Sequence, residues 1–416
     1  MSGLADVGTL PPVGEVPEQM YAQLVRQSRF GDPLHAFERE AVSVPEVGPR
    51  DVLIGVMAAG INFNNVWAAR GSPVDVIAIR QKAGEPYDFH IGGSDASGIV
   101  YAVGEQVEGI AVGDHVVTHP GWWRHDDLWV VAGKDPMLAP SAAIWGYNTN
   151  FGSFGQFCLA QDHQVMPKAA HLTWEEAAAP TLVGTTAHRM LFGWQGNTLG
   201  ADDVVLVWGG SGGLGTQAIQ LASAAGARSV AVVSSDERGR YCERLGATGY
   251  IDRSNFEHWG IPPHWEDAEA QKRWTAGCRA FGKAFWAALG ERRNPTIVFE
   301  HPGEATIPTS IFVCETGGMV VICAGTSGYS ASVDLRYHWV RQKRLQGSHG
   351  ANDVEARAYN QLVVDGKIDP CLGDLFEFDE IGRAHHEMEA GIGAAGNRVA
   401  LVGAPERGLG RTTSAA

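Results

Sequence analysis

The chain has 416 residues, enough for two domains of ordinary size, and a formal charge of −15. Its lysines and arginines are scattered, which excludes the basic face a nucleic-acid binder needs while leaving room for a local patch around an anionic ligand. No apolar run reaches membrane-spanning length and the start, MSGLADVGTLPPVG, lacks a charged-then-apolar signal, so the expected location is the cytoplasm.

In chain order, DVLIGVMAAGINFNNVW and GGSDASGIVYAVGEQVEGIAVGDHVV read as short strands broken by glycines, which predicts a small, partly barrel-like β domain. LVGTTAHR then places Thr185 and Thr186 just ahead of a new pattern, as cofactor-positioning groups or as a helix N-cap. That pattern is VVLVWGGSGGLGTQAIQLA, whose first five residues suit a strand covered on both faces. Gly210, Gly212 and Gly215 make G-x-G-x-x-G where the strand must turn into a helix. Glycine permits the tight turn, the close approach of a pyrophosphate and the close packing of helix on strand. The loop residues Gly210, Ser211, Gly212, Gly213, Leu214 and Gly215 are therefore expected to cradle phosphates on the amides and positive dipole end of the helix.

The next strand ends in Ser234-Ser235 rather than in the acidic residue that binds a ribose 2′-hydroxyl, and Arg238 follows. This favours NADPH over NADH, with Arg253 as a further phosphate contact and Asp236, two places on, as the residue that dissents unless it caps a helix. TIVFEHPG and GGMVVICAGTSG continue the alternation of strand and helix. The expected fold is α/β, a Rossmann-type doubly wound parallel sheet plus the β-rich catalytic domain. DVEARAYNQLVVDGKI and RVALVGA are expected to return to the first domain, giving a catalytic domain of 1–183 and 350–416 and a dinucleotide-binding domain of 184–349. The active cleft is expected between the two, near the nicotinamide. The two ends, down to the tail APERGLGRTTSAA, read as poorly ordered. The six cysteines form no C-x-x-C pair, so neither a zinc knuckle nor a disulfide framework is expected.

GSDASGIV, VGEQV and VGDHV ahead of the glycine loop resemble the medium-chain dehydrogenase/reductase superfamily. IWGYNTNFGSF, WGGSGGLG, IVFEHPG, CAGTSGY, LRYHWVRQKRLQGSH and GKIDPCL resemble the crotonyl-CoA carboxylase/reductase family, from about Val52 to Gly403. The resemblance implies an NADPH-dependent, oligomeric reductase of 2-enoyl-CoA thioesters, a dimer or tetramer, whose best-known members trap CO2 during reduction. Zinc alcohol dehydrogenases of the superfamily carry a Cys and a His-Glu pair where this chain has Asn62 and Ser94-Asp95. A catalytic zinc needs three protein ligands, so no metal is expected.

DLRYHWVRQKRLQGSH gathers Arg336, Arg341, Lys343 and Arg344 around Tyr337 and Trp339, a set suited to a CoA phosphate and adenine. By resemblance, Arg336 and Tyr337 match the family's CoA contacts. By the same resemblance the four CO2-holding positions, an Asn, a Phe, a Glu and a His, fall on Asn64, Tyr147, Asn148 and His349. Asn148 replaces a carboxylate that accepts and orders water by an amide that both donates and accepts. The expectation is therefore reduction of crotonyl- or acryloyl-CoA with carboxylation weak or absent. The alternatives are reductive carboxylation to ethylmalonyl-CoA, a quinone or 2-alkenal reductase, and a non-catalytic nucleotide sensor.

Overall fold

The computed structural model describes residues 4–412. They separate into two compact units: the chain up to Thr185 with Gly350–Gly366 and the residues from Pro370 onward, and Thr186–His349 with Lys367–Asp369.

The second unit is built on a six-stranded parallel sheet. Numbering its strands along the chain, the order is 3-2-1-4-5-6, the doubly wound dinucleotide-binding arrangement. Strand Val204–Trp208 lies near the middle with every residue buried, which is why it reads as an unbroken apolar run. Trp208 stacks on Phe281 at 5.5 Å with the rings 2° apart, and its indole N–H donates to Ser310 Oγ at 2.8 Å. In the outermost strands, Gly249–Asp252 and Arg344–Gly347, every second position is less buried than its neighbours, and a polar composition hides them in the sequence.

The first unit centres on strand Asp51–Ile61, eleven residues buried almost throughout. It pairs antiparallel with Ala96–Val103, Phe157–Gln161 and Asn397–Leu401, in a seven-stranded mixed sheet beside a three-stranded one. The late strand joins in register Ala400 to Ala59, and helix Asp353–Val364, capped by Asn352 and Glu355, belongs to the same unit. At Gly98 a Cβ would sit 2.3 Å from the Gly55 carbonyl, so the strand pair tolerates only glycine there. Five of the six cysteines are buried, and none is in a disulfide.

The described ends are tied down, which corrects the expectation of poor order. Gln156 Nε2 donates to the carbonyls of Ala5 and Asp6, and Tyr101 Oη donates to Pro11 O at 2.6 Å. At the other end Lys168 Nζ donates to Gly410 O and the Thr412 amide to Ala170 O. Pairing of otherwise bare backbone groups outweighs the loop-like composition. Residues 1–3 and 413–416 lie outside the described part. No helix among the described residues is long and apolar enough to cross a membrane.

Candidate functional site

The glycines of the loop have separate reasons for being glycine. Gly209 takes a left-handed φ of 59°, and a Cβ there would lie 2.3 Å from His301 Nε2. A Cβ on Gly210 would meet Ala231 Cβ at 2.6 Å, and one on Gly215 would meet the Gly209 carbonyl at 2.4 Å. These two are steric needs of strand, turn and helix. Gly212 differs: its nearest neighbour would be an ordinary 3.4 Å away, so the space over it is open for a ligand. Gly212 also caps helix Gly213–Ala224, and it has no side chain to occupy the first turn. The amides of Gly213, Leu214 and Gly215 are therefore beyond any intrahelical acceptor and available to a phosphate.

At the end of the neighbouring strand, Arg228–Val233, Ser234 is exposed and Ser235 caps helix Asp236–Arg244 by accepting the Arg238 amide. Asp236 is the first residue of that helix rather than its cap, and Tyr250 Oη donates to it at 3.3 Å. Arg238 Nη1 donates to Ser211 Oγ at 3.3 Å, so the second strand's arginine reaches the phosphate loop. Arg253 follows strand Gly249–Asp252 and stands close enough to His301 to help hold its imidazole down. Desolvation is the larger cause, lowering that imidazole to about 4 and keeping it neutral. His301 directly follows strand Ile297–Glu300 in IVFEHPG, a stretch that sequence reasoning read as a strand and a family motif without assigning this histidine a role.

Thr185 and Thr186 lie inside helix Thr181–Phe192, which rules out the N-cap reading. Thr185 Oγ1 donates back to the Thr181 carbonyl at 2.7 Å, and Thr186 is buried. The segment Gly92–Gly93–Ser94 packs against both segments that carry Asn64 and Asn148. A Cβ on Gly92 would meet Asn65 Oδ1 at 2.0 Å, and one on Gly146 would meet the Gly93 carbonyl at 1.9 Å. Absent side chains thus let helix Asn64–Arg70 and the loop after Ile144 close on the same strand end. Asn64 Nδ2 donates to Ser94 Oγ at 2.8 Å. Asn148 Oδ1 accepts the Ile144 amide at 2.9 Å, which fixes the oxygen end and leaves the NH2 as a double donor. The Tyr147 ring packs against Ala68, Val76 and Ile77.

Two of the three residues at the zinc-ligand positions bond each other, and the third, Ser94, accepts from Asn64. Asn62 Nδ2 donates to Asp95 Oδ2 at 2.6 Å, and the Thr181 hydroxyl and Leu182 amide donate to Asp95 Oδ1. Asp95 is fully buried, and desolvation pushes its carboxyl up to about 7 against the pull of these donors. An amide, a hydroxyl and a carboxyl engaged in this way are a poor donor set for zinc.

His349 follows the edge strand Arg344–Gly347. Desolvation, then the charge of buried Arg189, lowers its imidazole. Arg336 is exposed and held by Asp334 through Nε–Oδ1 and Nη2–Oδ2 contacts of 3.0 and 2.6 Å. Tyr337 packs edge-on against Phe312 at 4.8 Å. Lys343 departs from the expected basic patch: its ammonium is buried and donates to the carbonyls of Ile311 and Phe312, at the end of helix Ile307–Val313. It serves the helix C-terminus, where a cation offsets the dipole and unpaired carbonyls. Sequence reasoning also missed Arg189 and the structural role of Asp95.

Two family models match the chain: the alcohol dehydrogenase GroES-like domain over residues 48–170 and the zinc-binding dehydrogenase over 213–365. The crotonyl-CoA carboxylase/reductase of Cereibacter sphaeroides is 47% identical over 98% of this chain and 93% of its own length. The crotonyl-CoA reductase of Streptomyces collinus is 40% identical over 94% of this chain and 87% of its own. The solved structure of the crotonyl-CoA carboxylase/reductase AntE in complex with NADP is 52% identical, with a TM-score of 0.93 over 97% of this chain and 99% of that one. The chain belongs to the crotonyl-CoA carboxylase/reductase family of the medium-chain dehydrogenase/reductase superfamily.

Proposed function

We propose that this protein reduces a short 2-enoyl-CoA with NADPH and carboxylates it in the same turnover, converting crotonyl-CoA to ethylmalonyl-CoA. The observation that carries the reading is the pair of anchored carboxamides, Asn64 on Ser94 and Asn148 on the Ile144 amide. NADPH supplies the hydride that adds at the β-carbon and leaves an enolate. Bond formation between the α-carbon and CO2 then places negative charge on the CO2 oxygens, which fixed N–H donors stabilise without reorganising. The amide of Asn148 offers such donors at the position where the family's Glu accepts and orders water. The expectation of weak carboxylation, which treated Asn148 as the loss of an acceptor, is therefore withdrawn. The carboxylase/reductase names of relatives at 47% and 52% identity support the withdrawal.

Gly212 and the first-turn amides are the proposed diphosphate site, with Ser234, Ser235, Arg238 and Arg253 the proposed neighbours of the 2′-phosphate. Thr186 is the proposed positioning group, Arg336 and Tyr337 the proposed CoA contacts, and Tyr147 and neutral His349 the remaining CO2-site residues. The test is NADPH or NADH oxidation with crotonyl-CoA, a free enal and a quinone. Strong preference for NADPH and dependence on the CoA thioester are expected, and equal use of NADH or indifference to CoA contradicts the reading. Arg238→Ala is expected to cut the NADPH preference about tenfold, the loss of one charged phosphate contact.

A further inference from the structure

We propose that His125, Asp162 and His163 form a binding site for a divalent transition-metal ion, zinc(II) first. These residues play no part in the reaction proposed above, and they lie apart in sequence from the zinc-ligand positions at 62, 94 and 95. Among the described residues they are the group of three whose ligand atoms, two imidazole nitrogens and one carboxylate oxygen, all lie within 4.8 Å of one another.

The protonation pattern suits coordination. His163 Nε2 lies 3.3 Å from the Gly121 carbonyl, which places the ring proton on that nitrogen and leaves Nδ1 a lone pair. Nδ1 is buried with no hydrogen-bond partner, in a side chain only 11% exposed. Trp123 stacks on the ring at 3.9 Å and 24°, fixing its plane. His125 Nε2 is likewise buried without a hydrogen-bond partner. Two buried imidazole nitrogens left unmatched are costly unless something binds them.

Asp162 supplies the third ligand and the charge. Its Oδ1 lies 3.5 Å from His125 Nε2 and 3.9 Å from His163 Nδ1. A tetrahedral zinc with ligands near 2.0 Å has edges of about 3.3 Å, so the two carboxylate–imidazole separations stand within about 0.6 Å of a tetrahedral edge. The carboxylate is already oriented, with Oδ1 accepting the His163 amide at 2.7 Å and Oδ2 accepting Arg50 Nη1 at 3.0 Å.

The ligands come from two segments: the loop after strand Gly121–Trp122 and the single turn Asp162–Gln164. A cavity of about 600 Å³ adjoins the group, lined also by Arg50, Glu108, Lys134, Asp353 and Arg357. Water from that cavity can fill the fourth position, as in sites with three protein ligands. The lining carries Arg50, Lys134 and Arg357 against Glu108, Asp162 and Asp353, so the cavity is near neutral and the donor atoms, rather than net charge, favour the metal.

The test uses the full chain, without a polyhistidine tag, stripped by chelator and loaded with Zn2+ or Co2+. We expect one equivalent of zinc per chain retained after gel filtration, the visible absorption of tetrahedral Co2+, and a Tm that rises with added zinc. His125→Ala is expected to weaken binding at least tenfold while NADPH oxidation with crotonyl-CoA continues. If that variant folds poorly, Asp162→Asn, which still accepts the His163 amide, replaces it. No retention beyond that of the variant, or equal retention in the variants and the unaltered chain, overturns the proposal.

Discussion

Asp95 and Glu300 are carboxyl groups sealed from water, each satisfied by hydroxyl and amide donors. Glu300 accepts from Thr306 Oγ1 at 2.7 Å and Ser310 Oγ at 2.6 Å. Desolvation raises both to about 7, from ordinary values of 3.8 and 4.5. A raised acid binds more protons folded than unfolded, so its contribution is present below the unfolded value and lost as pH rises through 7. Comparing the unaltered chain with Asp95→Asn, the Tm difference is expected to move in favour of the variant between pH 5 and 8. A difference constant with pH contradicts the assignment. None of this was legible along the chain: Asp95 stands 86 residues from the Thr181 hydroxyl that donates to it, and pattern alone marked it only as an unsuitable zinc ligand. Asn64, Asn148 and His349 were named from motif resemblance. What their side chains bond to was not legible there, and the proposed function rests its reading of Asn148 on the bond from the Ile144 amide.

The glycine loop shows how far an element can be read from sequence. The strand, the turn and the helix start follow from five apolar residues and three glycines, but the distinct jobs of the glycines need the fold. Gly215→Ala drives a Cβ to within 2.4 Å of the Gly209 carbonyl and is expected to cost a few kcal/mol of stability. Gly212→Ala meets no such contact, so its Tm is expected to hold while the Kd for NADPH rises about tenfold as the methyl blocks backbone approach. Thermal melts and cofactor titrations of the two variants check this, and matching losses of stability contradict it. The edge strands Gly249–Asp252 and Arg344–Gly347 escaped notice because partner pairing, rather than apolar content, makes them strands. Lys343 escaped because a cation in a run of cations reads as surface. Its burial follows from the carbonyls of Ile311 and Phe312, which need a donor.

Over the whole chain, a parallel sheet ordered 3-2-1-4-5-6 and a β-rich unit joined by the late strand Asn397–Leu401 give the reductase its frame. Reduction and carboxylation then differ only in what reaches the enolate first. A change of about 1.4 kcal/mol between those barriers shifts the product ratio tenfold. On the proposed reading, the anchored donors at Asn64 and Asn148 supply a difference of that size. The most direct measurement is the ratio of ethylmalonyl-CoA to butyryl-CoA formed from crotonyl-CoA and NADPH under saturating bicarbonate with carbonic anhydrase, read by mass spectrometry. The account predicts mostly ethylmalonyl-CoA, with the ratio falling about tenfold in Asn148→Ala while NADPH oxidation persists. Mostly butyryl-CoA from the unaltered protein, or a ratio that Asn148→Ala leaves unchanged, would contradict it.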